Sequence, residues 1–222
     1  MNARTFISTD FNKKYAFSAN LGVGKLFEKG RDLFNYSISV SPRIKFNENF
    51  IMNYSFRFSD NKGGRGYVTN IDDNIIFGQR NQKTIVNSLS ASYNFDSYNG
   101  LTLTVRNFWT TVTYEDNLFL LDEDGRYNPN AGYNLDNIGF NPNINFNTWN
   151  LDFKYVWEFA PGSLLTALYR NQIFNQDTTS TDSYSVSFSS LFKQPIKHVF
   201  SLRLVYYIDY NNVKNIFQKK SS

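Results

Sequence analysis

The residues best suited to chemistry cluster on one stretch, WNLDFKYVWEF (149–159), and at a few points beyond it. Asp152, Lys154 and Glu158 occupy alternate positions, so on a strand they share one face, with Arg170 and Arg203 as candidates on nearby strands. Such a row of charges can select or anchor a solute in a polar lumen. It can equally consist of structural ion pairs, because opposite charges inside a barrel need partners whatever the function.

Other constellations are weaker. LDEDGRYNPN carries Asp122, Asp124, Gly125 and Asn128, but a calcium loop of EF type needs oxygen ligands where Leu120 and Ala131 stand. No metal site or cofactor is therefore assigned. His198 is the single histidine. A Ser-His hydrolase would also need a nucleophile elbow, which is absent, so no catalytic residue is assigned. GGRG at 63–66 lacks the strand–loop–helix setting of a phosphate cradle and reads as a flexible loop tip. Tyr127, Tyr133, Phe140 and Phe146 stand among many asparagines between 115 and 148. Rings with amides bind sugars or partner proteins, or pack a loop over its own barrel mouth.

These residues must be positioned by strands. In 149–159 every odd position is large and apolar: Trp149, Leu151, Phe153, Tyr155, Trp157 and Phe159. Strict period two places them on one side of a pleated backbone. The same alternation runs through KYAFSANLGVGKLF, FNYSISVSPRIKF, FIMNYSFRF, TIVNSLSASYNF and VFSLRLVYYIDY, and less cleanly through LTLTVRNFW and SLLTALYRNQIF; ARTFISTDF is a weaker candidate. Opposite the rings stand mainly Ser, Asn and Gly with single charges. A soluble sandwich favours Lys, Glu and Thr there, whereas small polar groups suit a hydrated barrel interior. Pro42 belongs near a strand end or a bulge.

Connections alternate in length. Those at 12–13, 47–49, 96–100 and 160–163 are short; long outer loops are expected at about 60–73, 115–148 and 175–197, with 28–32 a modest one. Bacterial outer-membrane barrels have short periplasmic turns and long outer loops, so parity assigns sides. YSVSFSSLF (184–192) reads either as a spanning strand or as part of an outer loop with a short turn or helix; the loop keeps the C-terminal end periplasmic.

Composition sets the outer limits. With 222 residues, 41% hydrophobic, 19% charged and mean hydropathy −0.46, bulk statistics look soluble. Aromatics reach 18%, however, and no apolar run approaches the ~18 residues a membrane helix needs. A barrel escapes that test because lipid-facing residues occur only at alternate positions. Cysteine is absent, which excludes disulfides and thiolate metal sites. The net charge of +4 comes from scattered Lys and Arg, which argues against nucleic acid as a partner. Met1-Asn2-Ala3-Arg4-Thr5 enters alternating sequence with no signal peptide, so a segment of a longer polypeptide is expected.

FGQRNQKT, GLTLTVRNFWTT, FNPNINFNTWNLDFKYVWEFAPGS and HVFSLRLVYYIDY together resemble the C-terminal barrel region of a Bacteroidota and proteobacterial family. Its members carry an N-terminal module like carbohydrate-binding family 9, followed by a domain of unknown function. The likeness is best from about 72 to 210, strongest in the aromatic strand and PGS turn, and the chain runs past Tyr210 with NNVKNIFQKKSS. It implies an outer-membrane barrel beside a glycan-binding domain, and lends no catalytic residues.

The expected fold is all-β: an antiparallel transmembrane β-barrel, with residues 1–222 forming one domain that supplies roughly nine to ten strands of a larger barrel. The expected role is non-catalytic, anchoring or forming a conduit for a surface glycan-handling or export assembly in the bacterial outer membrane. Its partners would be the lipid bilayer, glycan and other outer-membrane proteins. The alternatives are the barrel part of a carbohydrate-active hydrolase and a soluble β-sandwich adhesin.

Overall fold

The structure is a computed structural model and describes residues 1–28, 31–72, 74–121, 127–128 and 132–208. The alternating segments form β1 (Asn2–Ser8), β2 (Tyr15–Glu28), β3 (Arg31–Lys45), β4 (Phe50–Ile71), β5 (Asn74–Asn94) and β6 (Asn99–Leu121). They continue through a two-residue β7 (Tyr127–Asn128), β8 (Ile144–Ala160), β9 (Ser163–Asp177), a helix α1 (Tyr184–Leu191) and β10 (Lys197–Val205). The long strands pair antiparallel in chain order, β1-β2-β3-β4-β5-β6-β8-β9-β10, while β7 pairs β6. The protein is thus all-β, built on one meandering antiparallel sheet with nine strands along its path. Among the described residues the sheet is open: β1 and β10 are its edges, and no second sheet covers it.

Register fixes two faces, because residues opposite one another in antiparallel strands point the same way. One ladder row joins Val40, Phe56, Asn87, Asn107 and Trp149; a row nearer the short turns joins Phe50, Tyr93, Leu101 and Tyr155. These lie on the aromatic face. The alternate rows are polar: Arg43, Asn53, Ser90, Thr104, Asp152 and Arg170 lie on one continuous line across six strands. Glycines on this side make room for neighbours. A Cβ at Gly24 would come within 2.4 Å of Asn2 Oδ1 and 2.6 Å of Asn35 Oδ1, so both amides lie over that backbone.

The hairpins at the short-turn end are tight. Ala160 faces Ser163 across Pro161-Gly162. Proline fixes φ near −65° and Gly162 takes φ +72°, the combination a type II turn requires. Pro42 lies three residues before the end of β3, and the β3–β4 ladder skips it, resuming at Arg43↔Asn53. The missing N–H explains the gap.

The expected outer loops need correction at their edges. Residues 60–71 are strand, and β5 begins at Asn74, so the loop expected at 60–73 is a long hairpin arm. The ladder survives the glycines because a register shift between Asn61 and Gly64 absorbs the extra residues, with Gly63 at φ +67°. Gly66 leaves space for Arg80, whose guanidinium carbon would lie 2.5 Å from a Cβ there. GGRG is therefore strand, not a loop tip. Likewise β6 extends to Leu121 and β8 starts at Ile144, which narrows the loop expected at 115–148; β9 extends to Asp177, and β10 begins at Lys197.

Residues 184–191 form α1, not a spanning strand. Ser183 caps its N-terminus by accepting from the Val186 N–H at 3.4 Å. Tyr184, Ser187, Phe188 and Leu191 recur at helical spacing; Ser187 and Leu191 are buried, and Tyr184 and Phe188 pack on the sheet's tryptophans.

Candidate functional site

The polar face gathers most of the strand-borne cations. Arg4, Arg43, Arg57, Arg106, Arg170 and Arg203 lie there with Lys45, Lys154 and Lys197, while Asp152 and Glu158 are its acidic groups, counted over strand positions in register below the bulges among the described residues. All five charged residues singled out from the sequence, Asp152, Lys154, Glu158, Arg170 and Arg203, share this face.

They do not act as one cluster. Arg170 forks onto Asp152, donating from Nε to Oδ1 at 2.6 Å and from Nη2 to Oδ2 at 2.8 Å. Arg106, on the other side, stands 3.9 Å from Oδ2. The pair follows from register, since Asp152 and Arg170 are direct cross-strand partners. Beside it, Gln172 donates to Asn150 at 2.8 Å. Glu158 instead accepts from the Gly162 N–H at 3.0 Å and braces the turn. Lys154 faces Leu168 and Arg203 faces Thr166, so neither meets an acidic cross-strand neighbour.

The aromatic face has a different chemistry. Across its nine strands, no Asp, Glu, Lys or Arg among the described residues stands between the level of Asp60 and the short turns. On β8 this uncharged run spans 147–159, thirteen residues, more than the ~9–11 that a tilted strand needs to cross hydrocarbon. Ring pairs line its lower border: Phe46–Phe50, Phe50–Tyr93 and Tyr93–Phe95, with centroids 4.8, 6.2 and 5.0 Å apart, and Phe159–Tyr206 at 6.2 Å. Tyr36–Phe58 stands at the upper border, at 5.6 Å, and Tyr169–Phe200, at 4.9 Å, lies on the Phe153 row in the middle of the band.

Near that upper border α1 covers the amides on this face. Asn87 donates to the Tyr184 hydroxyl at 3.0 Å, which donates to Asn107 Oδ1 at 2.8 Å. Asn107 in turn donates to Asn147 at 2.8 Å, while Asn145 accepts from Trp109 Nε1 at 3.0 Å and donates to Ser187 at 2.9 Å. Burial pushes the Tyr184 hydroxyl above its ordinary pKa, helped by Tyr54 and opposed by the Asn87 hydrogen bond. A recess of about 760 Å³ opens beside this cluster between Tyr36, Asp60, Lys83, Trp109 and Tyr184.

The loop aromatics do not assemble. Phe146 lies within β8 on the polar face, 6.0 Å from Phe108, because strand pairing begins at Ile144; its placement in the loop is corrected accordingly. Phe140 is exposed, and Tyr133 is half-buried where its carbonyl accepts from Leu118 N–H at 3.1 Å. Tyr127 pairs through its backbone with Leu121. The Leu135 N–H bonds the Asp116 carbonyl, so this segment packs back along β6. Asp122 and Asp124 lie outside the described residues, as do Asp209, Tyr210 and the tail beyond. His198 Nδ1 meets the Tyr169 hydroxyl at 2.9 Å, with the two rings stacked. Among the described residues no three His, Cys, Asp or Glu side chains gather as a metal site.

A family model described as a domain of unknown function, DUF5916, matches residues 1–217. The chain belongs to the DUF5916 family. No curated protein matches it, and no solved structure does. The geometry of the sheet sets a basic polar face behind an aromatic one that is uncharged from below the level of Asp60 to the short turns. Sequence reading found the Asp152 row but missed Arg4, Arg43, Arg57 and Arg106 as members of one surface, and missed the Tyr184 cluster. The signal for the first was present, one cation at a time, on the Ser/Asn side of successive strands.

Proposed function

We propose that this DUF5916 sheet is a wall of an outer-membrane β-barrel, with its aromatic face in lipid and its polar face towards a hydrated lumen. The observation that carries this is the uncharged, ring-bordered band on one face of all nine strands. A charge at the centre of a barrel's lipid face costs roughly 2–4 kcal/mol for Arg or Lys, so its exclusion from a band across all the strands of one face is the pattern that solvent imposes. Exposure fits: on edge strand β10 Phe200 is 79% exposed and Leu202 73%, and among the described residues no element covers the face at their level. The unpaired edges fit only in a closed assembly, since each unsatisfied backbone group costs several kcal/mol in hydrocarbon. Further strands therefore complete the ring between β10 and β1.

In this reading the barrel is non-catalytic. It anchors or forms a conduit for a surface glycan-handling or export assembly, beside a carbohydrate-binding module of the kind its sequence resemblance implies. The short-turn end is periplasmic and the α1 end faces outward. Expression of the full-length protein in a Gram-negative host tests it. Recovery in the outer-membrane fraction, with mobility on denaturing gels that shifts on boiling, is expected. Recovery in the soluble fraction without detergent overturns it.

A further inference from the structure

Below the bulges and among the described residues, the polar face carries nine cations against Asp152 and Glu158, a surplus of seven, although the whole chain has a net charge of only +4. The remainder of the molecule is therefore net acidic, and the positive charge is concentrated where the strands turn their small residues. We infer that this face is an anion-conducting wall, which draws small carboxylate- or phosphate-bearing solutes through the lumen. The inference rests on the barrel reading above and deepens it by naming the class of solute.

Availability of the cations supports it. Asp152 is engaged by Arg170 on both oxygens, which leaves Arg106 at 3.9 Å with its side chain 58% exposed. Arg4 and Arg57 have no acidic partner among the described residues, and they border a recess of about 330 Å³ with Asn20, Ser37 and Ser39. Asn20, Ser37 and Ser39 are short, and Gly22, directly opposite Arg4 in the ladder, adds no side chain beside the guanidinium. Guanidinium groups bind carboxylate and phosphate oxygens through paired N–H donors, and rings of Arg and Lys select anions in pores. In a water-filled cleft with low-dielectric walls lined by one sign of charge the field is focused, which raises the local concentration of the opposite ion. Spacing matters too. The cations occupy successive ladder rows, from Arg203 near the short turns through Arg43, Arg106 and Arg57 to Arg4, so a solute can pass between neighbouring sites without one deep trap.

The test is ion selectivity of the full-length protein in planar bilayers under a KCl gradient, with inorganic phosphate as a second probe. A zero-current potential of the sign set by chloride is expected, with phosphate reducing the chloride current. Arg57→Glu combined with Arg106→Glu is expected to lower the chloride-to-potassium permeability ratio severalfold. Arg57→Gln with Arg106→Gln, which adds no repulsive charge, should give an intermediate shift. Insertion with a potassium preference, with no current, or with a ratio unmoved by either double variant overturns the inference while leaving the barrel standing. Failure of the wild-type protein to insert overturns the barrel reading itself.

Discussion

The hydroxyl of Tyr184 donates to Oδ1 of Asn107 at 2.8 Å, tying a short helix to an asparagine on an otherwise aromatic sheet face. The bond explains how amides survive on that side. Tyr184 joins Asn87 to Asn107, which donates to Asn147, and Ser187 of the same helix accepts from Asn145. Removing Tyr184's oxygen leaves two of them short of a partner. Tyr184→Phe should cost about 1–3 kcal/mol of local stability, the penalty for an unsatisfied buried polar group. Faster amide hydrogen exchange across 184–191, with β6 and β8 unchanged, is the expected readout.

The same hydroxyl predicts a pH response. Its proton is held more tightly in the folded protein than in an exposed tyrosine, chiefly through burial. The contribution is therefore complete below the ordinary tyrosine value near 10 and lost as pH rises through the raised one. Intrinsic fluorescence of Trp149, which packs against Phe188 and Phe192, should report release of α1 at alkaline pH. In Tyr184→Phe this component of the alkaline transition should vanish.

Asp152 and Arg170 form a bidentate pair, yet Arg170's side chain is 39% exposed. Solvent screening then limits its worth. A double-mutant cycle with Asp152→Asn and Arg170→Gln should give a coupling of about 0.5–1 kcal/mol, falling with added salt. A coupling of several kcal/mol would place the pair in a dry interior, not a hydrated lumen.

Gly162 is the most constrained point of the β8–β9 hairpin. Its φ of +72° disfavours any L side chain, and a Cβ there would approach Tyr207 Cβ to 3.2 Å. Gly162→Ala should destabilise the hairpin by about 1–2 kcal/mol, visible in thermal unfolding, whereas Ala160→Ser should be nearly silent.

Much of this fold is legible because side chains on strands repeat every two residues. Phe34 to Phe46 and Trp149 to Phe159 declare their faces without help from elsewhere in the chain. Gly63, Gly64 and Gly66 mislead, since glycines that permit a bulge inside a long strand look the same in sequence as glycines in a loop. Residues 184–192 satisfy two periods at once: 184, 186 and 188 alternate, while 184, 187, 188 and 191 follow a helix. Ser183 as a cap and the waiting amides of β6 and β8 decide between them. The basic face was hidden for another reason. Arg4, Arg43, Arg57 and Arg106 lie on four different strands, so they look scattered until register sums them on one side.

Everything here depends on what the aromatic face touches. Nitroxide labels placed singly at 151 to 156 of the full-length protein in outer-membrane lipid vesicles test it most directly. Labels at 151, 153 and 155 should be relaxed by dissolved oxygen, and those at 152, 154 and 156 by a water-soluble nickel complex. Nickel access at 151, 153 and 155, or loss of the two-residue alternation, would contradict a lipid-facing sheet.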